Sequence, residues 1–327
     1  MAPAVGSPQA IEATGLVKRF GTAGAILAVD GLSLTVARGE VFGLVGPDGA
    51  GKTTTMRLLT GVMPPTAGSA RVLGLDVTRD PEAIRARLGY APQNSSLYAD
   101  LSVAENLRFY ADLFGVRRGE RDRRMANLLA FSRLDPYRRR LARNLSGGMR
   151  QKLALCCALI HRPEVLFLDE PTIGVDPVSR RDFWLLIYQL LQQGLTLLVS
   201  TPYLDEAERC HRVALMDHGR LIACDTPAAL RRLLPGQLVE LRGPDLGALT
   251  PMARELPGVT EAQPFGDTLH LRLTDSGADP ATLQGTLASR GFTRLSVRPI
   301  VPSLEDVFVT LLRDRGPAAP AARGRGA

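Results

Sequence analysis

Three glycines, a lysine and two threonines stand together in Gly46-Pro47-Asp48-Gly49-Ala50-Gly51-Lys52-Thr53-Thr54. Glycines let a backbone turn tightly and aim successive N–H groups at one anion. A lysine adds a compact cation, and a hydroxyl adds a ligand for a hard metal ion. The stretch has the pattern GxxxxGK[ST], whose chemistry is the binding of nucleoside phosphates. An apolar run at 41–45 precedes it and a helical run at 55–59 follows. In that setting the helix N-terminus adds its partial positive charge to the loop. Lys52 is expected to reach the β and γ phosphates of ATP, and the Thr53 hydroxyl to ligate Mg²⁺. Far downstream, the apolar run 165–168 ends in Asp169 and Glu170. Two carboxylates are thereby delivered to the C-terminal edge of a strand, where ligands bind in open α/β sheets. Asp169 is expected to hold Mg²⁺ through its water shell, and Glu170 to orient and deprotonate an attacking water. Taken singly, a glycine-rich turn or a surface acidic pair would be ordinary. Together they point to a nucleoside triphosphatase.

A third motif narrows the reading. Leu145-Ser146-Gly147-Gly148-Met149 opens a helical run read as 149–160. Ser146 and two glycines at a helix start make a second anion site, although a serine N-cap with two flexible glycines would look the same. In its order and separation from Asp169-Glu170, this run resembles the signature LSGGQ of the ABC-transporter ATPases, with Met149 in place of Gln. That resemblance implies a head-to-tail dimer, homo or hetero, in which each signature meets the γ-phosphate held by the other subunit's loop. It also implies three further roles. Phe20 would stack on adenine, Gln93 would ligate Mg²⁺ and report nucleotide state to a membrane subunit, and Asp176 would cross the dimer interface. Gly43-Leu44-Val45-Gly46-Pro47 and Thr172-Ile173-Gly174-Val175-Asp176-Pro177 are similar to the branch that drives ABC-2 type exporters. The ending Ser303-Leu304-Glu305-Asp306-Val307-Phe308 resembles the accessory domain that many of those carry. The implied partner is a membrane permease encoded as a separate chain, and no nucleic acid is expected. The competing readings are a regulatory or degenerate half of an asymmetric ABC pair, and a non-transport ABC ATPase.

Two further positions depart from the family pattern. A histidine is expected about two residues after the strand 195–200, and Pro202 fills that slot with no side-chain hydrogen bond to offer. His211 stands in what reads as a helical stretch, too far along to substitute, and His161 reads as a loop residue. Hydrolysis retained at a reduced rate is the expectation. Asp48 stands where the family has Asn and places a carboxylate beside the phosphates, which is mildly repulsive.

The elements that must position these groups follow from the texture of the chain. Apolar runs without alternation at 41–45, 165–168 and 195–200 read as buried parallel strands, with helices at 149–160 and 180–193. The fold class is therefore α/β, a P-loop NTPase domain over 11–234 with a helical subdomain at about 95–150. Alternation at 238–242 and 268–273, with a helix at 280–289 between two turn-rich stretches, predicts a small α+β domain over 235–314. The Gly/Pro/Ala/Arg tail 315–327 reads as disordered. The charge of +7 rests on arginines clustered at 117–124 and 138–143, which suits a solvated helix face or contact with anionic lipid headgroups. Four cysteines without a CxxC spacing exclude zinc and dithiol chemistry. The first ten residues lack the makeup of a signal peptide, and no window reaches the ~18 apolar residues of a membrane span. A peripheral place on the cytoplasmic face of the plasma (inner) membrane is expected.

Overall fold

The computed structural model describes residues 8–21, 24–93, 96–274, 279–292 and 294–314. The expectations for the first seven residues and for the tail 315–327 fall outside these. The chain divides into one compact unit ending at Pro227 and a second beginning at Ala228.

The first unit is built on a six-stranded sheet. Its strands are β3 (Val41–Val45), β6 (Leu88–Ala91), β7 (Val165–Asp169), β8 (Thr196–Thr201), β9 (Arg212–Asp217) and β10 (Arg220–Asp225), in the order β10-β9-β3-β8-β7-β6. All neighbours run parallel except β10, which closes the edge antiparallel to β9. Strands β3, β7 and β8 are buried at every residue, as their unbroken apolar runs predict. A second sheet was not foreseen by the sequence reading. Strands β1 (Gln9–Phe20), β2 (Ile26–Ala37), β4 (Ala67–Val72) and β5 (Leu75–Asp76) form an antiparallel sheet in the order β2-β1-β4-β5. Its buried face, including Ile11, Leu16, Leu32 and Val72, shares one core with Phe42 and Phe167 of the central sheet and with Met56 of the helix Lys52–Leu59.

Helix α1 (Lys52–Leu59) follows β3, and the short α2 (Pro81–Arg85) precedes β6. Helices α3 (Val103–Leu113), α4 (Arg118–Ser132) and α5 (Gly147–Leu159) pack around Leu107, Leu129, Leu153 and Ile160. At the start of α3, Ser102 Oγ accepts from Glu105 N (3.3 Å) while Glu105 Oε2 accepts from Ser102 N (2.8 Å). This reciprocal cap fixes where the helical part begins. The arginine clusters near it are largely tethered. Arg121 pairs with Asp112 at 2.7 Å and Arg124 with Glu120 at 2.7 Å, and the carbonyls of Arg138 and Arg140 cap α3. Helix α6 (Pro177–Gln192) starts three residues before the predicted position, and the short α7 (Leu204–Ala207) follows β8.

The second unit opens with α8 (Pro227–Arg231). It carries β11 (Gln237–Arg242), β12 (Val259–Phe265), β13 (Thr268–Leu273) and β14 (Ser296–Pro299) in an antiparallel sheet ordered β12-β13-β11-β14. Helices α9 (Leu246–Arg254) and α10 (Pro280–Ser289) close a core around Val239, Leu249, Leu271 and Leu287. Leu269, Leu271 and Leu273 are buried as alternation predicts, but Thr268 and His270 on the opposite face are buried too. The strand was read as half-buried. The reason it is not is α11 (Leu304–Asp314), whose Asp306 Oδ1 lies 2.7 Å from His270 Nδ1. No helix among the described residues is long and apolar enough to cross a membrane.

Candidate nucleotide site

The C-terminal ends of β3, β8 and β7 lie side by side, with Val45 paired to Thr201 and Ser200 to Asp169. The phosphate loop, the two strand-end carboxylates and Gln93 meet there. Past Val45 the chain turns through residues 46–51 into α1. Gly49 and Gly51 take φ of +81° and +97°, a region that side chains other than glycine's rarely adopt. A Cβ on Gly46 would stand 2.2 Å from the Met216 carbonyl oxygen, and one on Gly51 2.4 Å from that of Ala28. Ala50 is buried, whereas Pro47, Asp48 and Gly49 face solvent.

Lys52, the first residue of α1, is 4% exposed. Its ammonium donates to the carbonyls of Gly46 (2.7 Å) and Pro47 (3.0 Å) and lies 3.0 Å from Glu170 Oε1. Thr53 Oγ1 donates to Asp169 Oδ1 at 3.1 Å. Asp169 is almost wholly buried and takes two more hydroxyls, Ser200 on Oδ1 (2.6 Å) and Tyr90 on Oδ2 (3.2 Å). Burial, and then the Asp169 charge, push the Tyr90 phenol well above its ordinary range, which keeps it a donor. Glu170 is also buried. Its Oε2 accepts from Gln93 Nε2 at 2.6 Å, and its backbone N–H donates to Ser200 Oγ (2.9 Å) and Ser200 O (3.1 Å). Its φ of +50° is unusual for a side-chain-bearing residue and is sustained by these restraints.

Thr53, Asp169 and Gln93 therefore bring a hydroxyl, a carboxylate and an amide to one place. These are hard oxygen donors, suited to a Mg²⁺ ion that takes its remaining ligands from phosphate and water. Among the described residues, no group of three or more His, Cys, Asp or Glu is placed to hold a metal ion.

The other predicted residues lie in different surroundings. Phe20 is half-buried at the end of β1, with the Lys18 ammonium 5.4 Å from its ring centroid. Leu145 is buried, and Ser146 is the N-cap of α5, accepting from Met149 N at 3.3 Å. The helix thus starts at Gly147 rather than at the predicted Met149, because that cap forms and the glycines continue into the first turn. Gly148 packs against Ser179 of α6, and Met149 packs against the core of α3, α4 and α5. A glutamine there would set an amide on that apolar cluster. Asp176 is the N-cap of α6: its Oδ1 accepts from Ser179 N at 2.9 Å, and this holds its carboxyl below the usual range. Pro202 follows β8 directly. His211 is not in a helix, since α7 ends at Ala207; its Nδ1 accepts from Val41 N at 3.0 Å. His161 follows α5 and lies 2.9 Å from the Leu88 carbonyl.

Sequence reasoning missed Ser200, Tyr90, Thr201 and Glu206. Ser200 and Tyr90 touch Asp169 only because neighbouring strands bring them there. Strand order was the one signal that would have found them.

Comparisons with known proteins agree with this geometry. The family model described as ABC transporter matches residues 29–173. The Nod factor export ATP-binding protein I of Ralstonia nicotianae is 39% identical over 311 residues, covering 94% of this chain and 95% of that protein. The daunorubicin/doxorubicin resistance ATP-binding protein DrrA of Streptomyces peucetius is 38% identical over 308 residues, covering 93% and 92%. The probable multidrug ABC transporter ATP-binding protein YbhF of Escherichia coli is 43% identical over 291 residues; these cover 88% of this chain, which spans half the length of that relative. Among solved structures, an ATP-binding subunit of an ABC transporter superposes with a TM-score of 0.61 at 31% identity, covering 68% of this chain and 92% of that one. A dimeric ATP-binding cassette with ADP and Pi shares the fold at a TM-score of 0.61 and 23% identity, covering 66% and 98%. The phosphate loop, the strand-end carboxylates and a near full-length match at 39% identity place the chain in one family: it belongs to the ATP-binding proteins of ABC transporters.

Proposed function

We propose that the chain binds and hydrolyses Mg-ATP as the motor subunit of an exporter, docked on a separately encoded permease at the cytoplasmic face of the membrane. The observation that carries this reading is the convergence of Lys52, Thr53, Asp169, Glu170 and Gln93 on one strand edge within 3.2 Å contacts. The backbone N–H groups of 48–52 and the Lys52 ammonium bind the β and γ phosphates, with Lys52 exchanging its carbonyl and carboxylate acceptors for phosphate oxygens. Glu170 orients and deprotonates the attacking water, and the Gln93 amide fixes which Glu170 oxygen faces it. Thr53, Asp169 and Gln93 would hold Mg²⁺, which would supply charge neutralisation at the phosphates. In-line phosphoryl transfer asks little else of the protein than positioning and charge stabilisation.

In this reading 11–234 binds nucleotide and 235–314 is accessory. Phe20 stacks on adenine. In a head-to-tail dimer, Ser146, Gly147 and Gly148 meet the partner's nucleotide, with Asp176 at the interface. Relatives named for Nod factor and drug export support the outward direction. Pro202 supports slow turnover, since it offers no donor to the γ-phosphate. One experiment tests these points together. ATPase activity of the purified chain is followed against protein concentration, beside Glu170→Gln and Pro202→His. A rate rising more steeply than linearly, lost by a factor of about 10² or more in Glu170→Gln and raised in Pro202→His, is the expected result. ATP binding without turnover at any concentration would favour the asymmetric-pair reading instead, and an unchanged Pro202→His rate would remove that position as the limit.

A further inference from the structure

We propose that Glu206 is a positioning residue for hydrolysis: a buried clamp that holds the turn after Glu170 and the end of β8 in register, setting kcat and not ATP affinity. This rests on the ATPase reading above. Glu206 sits in α7 and is fully buried. Its two oxygens bind two different segments. Oε1 accepts from Thr172 Oγ1 at 2.5 Å, two residues beyond Glu170, and Oε2 accepts from Thr201 Oγ1 at 2.8 Å, the last residue of β8. Both threonines are themselves buried. Arg180 of α6 supplies the countercharge, with Nε 3.6 Å from Oε1 and its guanidinium 4.4 Å over the Tyr203 ring. A buried carboxylate left unpaired is costly, so one with two hydroxyl donors and a cation strongly favours a single arrangement.

That arrangement reaches the reacting groups along two short paths. Thr201 Oγ1 also accepts from Tyr203 N at 3.0 Å, folding the chain around Pro202. Its neighbour Ser200 ties the Asp169 carboxylate to the Glu170 backbone, donating to Asp169 Oδ1 and accepting from the Glu170 N–H. On the other side, the Thr172 turn follows Glu170 directly, with Ile173 N donating to Glu170 O at 3.3 Å. Glu170 holds an uncommon positive φ and needs restraint on both flanks to aim its carboxylate consistently. Where Pro202 offers no side-chain donor, Glu206 supplies order by fixing the backbone instead.

The test uses the full chain and compares Glu206→Gln, Thr172→Val, Thr201→Val, Thr172→Ser and Thr201→Ser for kcat, KM, ATP Kd and Tm. Valine keeps the shape of threonine without the hydroxyl, and serine restores the hydroxyl. The expected result is a kcat lowered about 10- to 100-fold in the glutamine and valine variants, the scale of a misplaced catalytic group. ATP Kd should stay within about twofold, and serine should recover most of the loss. If Glu206→Gln does not fold, the threonine pairs carry the test alone. Serine variants no better than valine, or kcat losses that merely track Tm and Kd, overturn the clamp. Wild-type turnover that is abolished by Glu170→Gln but indifferent to all five variants overturns only the clamp. A wild-type chain without Glu170-dependent turnover overturns the ATPase reading and the clamp with it.

Discussion

Gly147 and Gly148 are adjacent in the signature, yet a methyl group would meet different surroundings at each. A Cβ on Gly148 would stand 2.5 Å from Ser179 Cβ, whereas one on Gly147 would come no closer than 3.5 Å, to the Gly174 carbonyl oxygen. Helix α6 and α5 are thus in contact through Gly148, and overpacking of this kind costs about 1–3 kcal/mol. Gly148→Ala is therefore expected to lower stability by that amount. Gly147→Ala should leave the denaturation midpoint unchanged while depressing turnover, because in the head-to-tail dimer proposed above its methyl group would face the partner's nucleotide. Urea unfolding alongside ATPase assays distinguishes the two. A Gly147→Ala variant that unfolds earlier, or one that turns over ATP at the wild-type rate, would count against a role in trans for that residue.

Helix α3 ends at Phe114, whose ring stacks on His161 at 3.9 Å with planes 12° apart. His161 also faces the carbonyl of Leu88, the first residue of the strand that leads to Gln93. The helical part is in this way coupled to the central sheet through one imidazole. With a carbonyl opposite Nε2, that nitrogen carries the proton and Nδ1 is left bare and unpartnered. Burial, helped by the Arg124 charge, lowers the His161 pKa below 6.5. The unfolded chain then binds more protons than the folded one in the window below pH 6.5. The stability this neutral ring provides is complete above that value and is lost as pH falls through the folded pKa. Between pH 7.5 and 5.5 the wild type should lose stability, and His161→Gln should lose less over the same interval, leaving a remainder to groups such as His211, also lowered by burial. Identical slopes in the two proteins would dismiss the coupling. At this scale the sequence was readable where packing is uniform. Strands β3, β7 and β8 are buried at every residue, carry apolar runs without alternation and abut the motif residues, so strand, loop and helix could be placed. The sheet of β1, β2, β4 and β5 was not readable, because register shifts between β1 and β2 and the glycines Gly15 and Gly31 break the alternation that would announce it. Lys52, Asp169 and Glu170 were legible from spacing, whereas Ser200 and Glu206 look like ordinary polar residues until the strands are laid side by side.

Each of the two units has its own apolar interior, and that has a consequence for the whole chain. The second unit buries Val239, Leu241, Leu249, Leu269, Leu271, Leu283 and Leu287 within itself. On the other face of its sheet, Leu234, Leu238 and Val307 make a smaller cluster. Beside them, Asp306 receives His270 Nδ1 at 2.7 Å, Ser303 Oγ at 2.6 Å and Ser303 N at 2.8 Å. The carboxylate thus completes a reciprocal cap with Ser303 at the start of α11 and is also the polar tie of that helix to β13. A fragment of about 85–90 residues with one such core is large enough to fold alone. Residues 228–314 expressed by themselves should therefore unfold in a single cooperative step, with a stability of about 4–13 kcal/mol. Asp306→Asn replaces one acceptor oxygen by a donor facing either Ser303 or His270, and should lower that stability by about 1–3 kcal/mol. Circular dichroism during urea unfolding reads both values. A fragment that melts without cooperativity would mean that this interior is insufficient by itself. A fragment that folds but ignores Asp306→Asn would instead show that apolar packing alone seats α11 on the sheet.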